Sequence, residues 1–222
     1  MKLYELTWGV YPRRVIIYLA EKGLSDIARV PLDFLRGENR EPEHMERNPA
    51  GTVPVLEISS GVFIRQSTAI LEYLEEIYPC PNMIGDTPHA RAFTRDLMSL
   101  INESTQFFGA FVTHVSPLFA AMVEQKRDAA NGAWNFFKQR VTALEQVVRS
   151  DEFLNGLHPT IADCSLAALV GFARDFYAVE LPSECARINQ WYRRFSTRPS
   201  ARTPEYPREL LMLARGQGEI AR

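Results

Sequence analysis

Asn48-Pro49-Ala50-Gly51-Thr52-Val53-Pro54-Val55-Leu56 places a proline at the mouth of a strand, and Gln66-Ser67-Thr68-Ala69-Ile70, a hairpin later, opens a helix. A proline in that setting is often cis and leaves the N–H and C=O of the residue before it, Val53, free to pair with an extended ligand. The helix start carries an amide and hydroxyls where the positive end of the helix dipole favours a carboxylate. Upstream, Gly37-Glu38-Asn39-Arg40 adds a further amide and a cation in a loop.

Around this stretch the first 80 residues mix strand and helix signals. Residues 2–6 and 28–32 are short β-prone runs, and 12–23 reads as a helix with Pro12 near its start and Gly23 after its end. Residues 53–58 and 62–64 are apolar runs joined by Ser59-Ser60-Gly61, a hairpin signal. The helix over 66–78 carries Ile70, Tyr73, Leu74 and Ile77 on one face, with Glu72, Glu75 and Glu76 largely off it. The order is βαβ, a loop with a short helix, then ββα, an α/β unit with a small mixed sheet. Residues 79–88 hold three prolines and Gly85, a linker composition. Beyond it helical patterns fill 89–123, 124–149, 161–176, 183–196 and 207–214. Thr160-Ile161-Ala162-Asp163 is a helix start in which hydroxyl and carboxylate satisfy orphan backbone donors. The apolar run 164–173 that follows belongs in the middle of the helical part.

The chain has 222 residues, 25 Lys+Arg, 27 Asp+Glu and a net charge of −2, which supplies no basic field for nucleic acid. Three cysteines without a CxxC pair suit a reducing, cytoplasmic compartment. Met1-Lys2-Leu3-Tyr4-Glu5 reaches an acid too early for a secretory signal. Residues 104–123 lack charge, but Ser104, Thr105, Gln106, Thr113, His114, Ser116 and Pro117 are too polar for a membrane span. Phe107, Phe111, Val115, Leu118 and Met122 recur at helical steps, so this is an amphipathic core helix with a kink near Pro117. There is no GxSxG, Walker loop or HExxH, and His44, His89, His114 and His158 are too scattered for a metal site. Gly216-Gln217-Gly218 lies in the tail rather than after a strand, which excludes a dinucleotide loop.

Pro12-Arg13-Arg14-Val15 through Glu21-Lys22-Gly23, NPAGTVPVL at 48–56, QSTAILEYLEE at 66–76 and TIADCSLAA at 160–168 together resemble the glutathione S-transferase superfamily over nearly the whole chain. The loop 37–42 and the NPxGxVP segment look most like the phi class and its bacterial and fungal relatives. The resemblance implies a thioredoxin-like glutathione-binding domain at 1–80 and an all-helical domain at 88–222. It also implies glutathione as co-substrate, a small electrophile as second substrate, and a homodimer. It assigns Val53, before Pro54, to the cysteinyl unit, Ser67 to the γ-glutamyl carboxylate and Gln66 to the γ-glutamyl amine. Asn39 and Arg40 would hold the glycyl carboxylate, with Thr52 as a further contact. The alternative for Ser67 is a plain helix cap.

The departure from the family lies at the catalytic position. Counting back five residues from Arg14, the usual serine position holds Gly9, which has no hydroxyl. A thiol with a free pKa near ~8.5 needs help to become thiolate at neutral pH. Tyr11 is the first candidate to supply it, with a pocket wall as its competing role; Thr7, the backbone amides around Val10 and the helix dipole remain. Arg13 and Arg14 read as solvated or interdomain salt-bridge residues. Trp8, Tyr11, Phe107, Phe108 and Phe111 could wall an electrophile pocket, and the phenylalanines equally suit a core or a dimer contact. The reaction implied is conjugation; double-bond isomerisation, thioether cleavage and a non-catalytic binding module are the alternatives.

Overall fold

A parallel pair of strands needs a crossover, and the first helix supplies it. In the computed structural model, which describes residues 1–149 and 152–215, β1 (Lys2–Glu5) and β2 (Ala28–Pro31) run parallel and α1 (Val10–Lys22) joins them. Gly23 closes α1 at φ 72, a left-handed conformation that costs other residues sterically. β3 (Val55–Ser59) pairs antiparallel with β1, and β4 (Val62–Ile64) with β3, giving the order β2-β1-β3-β4. Leu3 and Leu56 join the core with Val15 and Tyr18 of α1 and with Ile70 and Leu74 of α3 (Ser67–Ile77). Tyr4 points to the other face, where Arg47 of α2 (Pro42–Arg47) lies 4.3 Å from its ring centroid. This is the thioredoxin-like arrangement that the resemblance implies.

Two side chains of α3 depart from the periodicity reading. Ile77 is 41% exposed, whereas Glu75 is only 6% exposed. Glu75 accepts from the Tyr18 hydroxyl at 2.7 Å, the Lys22 ammonium at 2.5 Å and the Met83 amide at 3.0 Å. A carboxylate enters a core when paired and fully hydrogen-bonded. Its partners lie on α1 and in the linker, outside the reach of a pattern read along one helix.

The remainder is helical: α4 (Pro88–Val115), α5 (Arg127–Val147), α6 (Ile161–Gly171), α7 (Ala186–Phe195) and α8 (Arg208–Arg215). The Thr87 hydroxyl caps α4 by accepting from the Ala90 amide. Residue 117 ends this helix rather than kinking it. Ser116 turns extended, ψ 128, and a short 3-10 turn over Pro117–Phe119 follows. Proline disfavours the α conformation for the residue before it, and Ser116 leaves the helix there. Met122, expected on the buried face, is consequently 70% exposed. Among the described residues no helix is long and apolar enough to cross a membrane, and no group of three or more His, Cys, Asp or Glu is placed to hold a metal. Residues 216–218 lie outside the described residues.

α6 sits against α4, α7 and α1, and ten of its eleven residues are buried. Its start is the capping box that Thr160 and Asp163 imply. Asp163 accepts from the amides of Leu154 (2.9 Å) and Thr160 (2.8 Å), the Thr160 hydroxyl (2.8 Å) and Trp191 Nε1 (2.9 Å). Burial raises its carboxyl pKa, and these four bonds oppose the shift.

Candidate functional site

β3 and β4 bring the two ends of the opening motif together. The ladder ends with Leu56 opposite Ile64, and since the strands are antiparallel, Val53–Pro54 leads into β3 and Gln66–Ser67 leads out of β4 at the same end of the hairpin. The Val53–Pro54 peptide is cis. Among the described residues neither the N–H nor the C=O of Val53 has a hydrogen-bond partner. Gln66 is the N-cap of α3 without a side-chain cap bond, and the first intrahelical bond runs from the Ile70 amide to the Gln66 carbonyl. The amides of the first turn therefore face outward, as at any uncapped helix start. Ser67 occupies the first helical position with its hydroxyl unbonded among the described residues, so it does not serve as the cap.

The segment entering Val53 is held from α2 and its flanks. Asn48 donates Nδ2 to Thr52 O (2.8 Å) and Thr52 Oγ1 (2.9 Å), and its Oδ1 accepts from the Ala50 amide. His44 places Nε2 at 3.1 Å from the same Thr52 carbonyl. Asn39 is buried, and its Nδ2 donates to Gly51 O at 2.9 Å, which commits the amide to the loop. Arg40 is exposed, with one long contact from Nη1 to Ala50 O at 3.5 Å. Gly51 has φ +62, and a Cβ there would lie 2.7 Å from Arg40 Nη1. The guanidinium rests where any other residue would carry its side chain.

At the start of α1, Gly9 is the N-cap and Tyr11 the second helical residue. Tyr11 is 37% exposed and its hydroxyl has no hydrogen bond among the described residues. Thr7 is exposed, and the Val10 amide belongs to the unpaired first turn. Arg14 is neither solvated nor salt-bridged. It is fully buried, donating to Asn102 Oδ1 and to Thr105 Oγ1 at 2.6 Å on α4, with its Cζ 4.8 Å from the Tyr11 ring centroid. Its Nε has no acceptor. Burial lowers its pKa to about 10, and Tyr11 partly opposes this. The cation bridges the two halves through neutral oxygens because α4 offers no carboxylate there. Arg13 donates to the Arg202 carbonyl.

The aromatic candidates separate. Phe108 and Phe111 are each 2% exposed and belong to the helical core, against Phe137 and Trp134 respectively. Phe107 stacks on Phe136 at 5.0 Å. Trp8 stacks on Phe176 at 5.3 Å and meets Tyr206 edge-on. Phe172 and Phe176 stack because residues 172–176 form a π-helical turn, which is not legible from a 3.6-residue period. Those partners of Trp8 went unidentified in the sequence, as did His44 and Asn48. Asn48 was present in the quoted motif; nothing local singled out His44.

The residues present fit a small peptide with two carboxylates: an unpaired extended backbone, an uncapped helix start with a free hydroxyl, and an exposed cation. The family pattern described as glutathione S-transferase, N-terminal domain, matches residues 8–77. Glutathione S-transferase 2 of Saccharomyces cerevisiae is 31% identical, the match covering 91% of this chain and 88% of that protein. Maleylacetoacetate isomerase of Pseudomonas aeruginosa is 34% identical over 79% of this chain and 82% of its own length. The crystal structure of a glutathione S-transferase domain-containing protein from Marinobacter aquaeolei superposes with a TM-score of 0.80 at 32% identity, covering 91% of this chain and 100% of that one. With a relative above 30% identity along nearly the full length, and a sheet, a Val53 turn and a capped α6 that match the motifs, the chain belongs to the glutathione S-transferase superfamily.

Proposed function

We propose that this protein is a glutathione-dependent transferase that conjugates a small electrophile. The observation that carries the reading is the unpaired main chain of Val53 at the same end of the β3–β4 hairpin as the unbonded Ser67 hydroxyl and the open start of α3. When bound, glutathione supplies a thiolate nucleophile. Val53 pairs its backbone with the cysteinyl unit. Ser67 and the first-turn amides of α3 hold the γ-glutamyl carboxylate, and the Gln66 side-chain oxygen Oε1 accepts from the γ-glutamyl amine. Arg40 takes the glycyl carboxylate; Asn39 supports it by fixing Gly51, and the Thr52 hydroxyl keeps a proton to donate. Tyr11 donates its hydroxyl towards the sulfur position, aided by the Val10 amide and the α1 dipole. Trp8, Tyr11 and Phe107 form the wall facing the electrophile, while Phe108 and Phe111 shape it from behind.

The isomerase name of one relative supports a second use of the same site, addition and expulsion of the thiol across a double bond. We infer phi-like kinship only for the binding loop, residues 37–42 with the NPxGxVP segment; the relatives named above carry no phi designation. We further propose domain limits at 1–80 and 88–222, a homodimer on the strength of the full-length resemblance, and a cytoplasmic location, for which the free thiols of Cys80, Cys164 and Cys185 speak. Isothermal calorimetry with glutathione tests the reading. Ser67→Ala is expected to weaken binding by roughly 1.5–3 kcal/mol, the worth of a hydrogen bond to a charged group. Wild type that does not bind glutathione would remove it.

A further inference from the structure

His44 is a buried titratable group, 2% exposed, on the six-residue helix α2. Asn48, four residues on, lies on the same side of that short helix, and its amide is bonded to the His44 carbonyl at 2.8 Å. Both side chains converge on one atom. Thr52 O is 3.1 Å from His44 Nε2 and 2.8 Å from Asn48 Nδ2, so both of its lone pairs are engaged.

That carbonyl belongs to the same peptide unit as the Val53 N–H. The Thr52–Val53 bond is not among the cis peptides, and in a planar trans unit the C=O and N–H point in opposite directions. Gripping Thr52 O from the α2 side therefore aims the Val53 N–H away from α2, outward from the loop. Two donors on one carbonyl also polarise the unit and strengthen its N–H as a donor. We propose that His44 is a positioning residue for glutathione, orienting and polarising the Val53 amide through the Thr52 carbonyl. The inference rests on the glutathione-binding reading above.

The ring suits this task in one form. Nδ1 is buried without any partner, so the neutral tautomer with the proton on Nε2 is the one that leaves no buried N–H unsatisfied. Burial above all lowers the His44 pKa, the hydrogen bond to the Thr52 carbonyl opposes the shift, and the Arg47 charge adds to it. A residue that filled the space without a donor would leave Thr52 O to Asn48 alone, free to rotate about the remaining bond.

The test compares three variants by calorimetry with glutathione, with chlorodinitrobenzene turnover at saturating glutathione as the second readout. His44→Gln places an amide donor at similar reach and is expected to bind within about twofold of wild type. His44→Leu keeps bulk and loses the donor, and His44→Asn is too short to reach; each is expected to raise Kd by about three- to tenfold, as for one lost neutral hydrogen bond. kcat at saturation stays unchanged, because the sulfur is not contacted. In amide NMR spectra of the full chain, the downfield shift of the Val53 proton on adding glutathione shrinks in His44→Leu and is retained in His44→Gln. Equal weakening in all three variants would show that the ring only packs, and would overturn the proposal. Equal binding by wild type and His44→Leu would overturn it too. Should His44→Leu fail to fold, the contrast of Gln with Asn decides the matter. Wild type that does not bind glutathione removes the functional reading and this inference together, a result distinct from the other two.

Discussion

Replacing Gly51 with alanine adds one methyl group at the place where the Arg40 guanidinium rests. Two effects can be separated. The backbone at Gly51 has φ +62, and holding an L-residue in the left-handed region costs about 1–2 kcal/mol. For a chain of this size each kcal/mol moves Tm by roughly 2–4 °C, so a fall of about 2–8 °C is expected. The new Cβ would lie 2.7 Å from Arg40 Nη1 and 3.0 Å from both Arg40 Cζ and the Asn39 carbonyl oxygen. The guanidinium is the far end of a flexible chain and swings aside, whereas the carbonyl yields only slightly. Losing a charged contact to the glycyl carboxylate costs about 1.5–3 kcal/mol, a rise in Kd of roughly 10- to 150-fold. Calorimetry with two ligands isolates this term, because γ-glutamylcysteine lacks the glycyl carboxylate and has nothing to lose at Arg40. Gly51→Ala should weaken glutathione at least about tenfold and leave γ-glutamylcysteine within about threefold. Arg40→Ala should reproduce the affinity pattern without the loss of Tm. If both ligands weaken equally in Gly51→Ala, the disturbance has passed into Val53 and the assignment of Arg40 is wrong.

Tyr11→Phe is expected to lower turnover by roughly 10–1000-fold, while Gly9→Ser should lower the bound thiol's pKa. A serine can adopt the Gly9 backbone, φ −70, provided Leu6, whose Cδ2 would lie 3.3 Å from the new Cβ, gives by a few tenths of an ångström; ultraviolet titration of the thiolate that finds neither effect would leave the backbone amides as the stabiliser. Asp163→Ala strands the Leu154 and Thr160 amides and Trp191 Nε1, and should cost about 3–5 kcal/mol in urea unfolding; an unchanged midpoint would contradict the capping role. The folded pKa of His44 lies below its ordinary value of 6.5, so between the two the unfolded chain binds the extra proton. Stability is then full above that ordinary value and falls as pH drops from it through the folded value; Tm measured over that range should fall more steeply in wild type than in His44→Gln.

Much of the fold is legible because its signals act over a few residues. Gly23 past the end of α1, the Thr160–Asp163 box, the strand-opening Pro54 and the hairpin glycine each answer a local backbone demand, and each stands where the pattern places it. Binary periodicity likewise separates the α/β half from the helical half. The chain alone determines these features because capping, turn chemistry and apolar repetition need no distant partner.

Only the tertiary structure decides where polar groups go when their partners lie far along the chain. Glu75 is buried because Tyr18 and Lys22 reach it from α1, more than fifty residues away. Arg14 is an interior cation because α4 brings Asn102 and Thr105 to it. Trp8 acquires its aromatic neighbours from a π-helical turn and from Tyr206. His44 reads in sequence as one scattered histidine, and packing alone sets its ring against the peptide that carries the Val53 amide. In each case the side chain's identity is consistent with several environments. The free energy that selects one comes from desolvation and pairing among groups that meet only once the chain is folded.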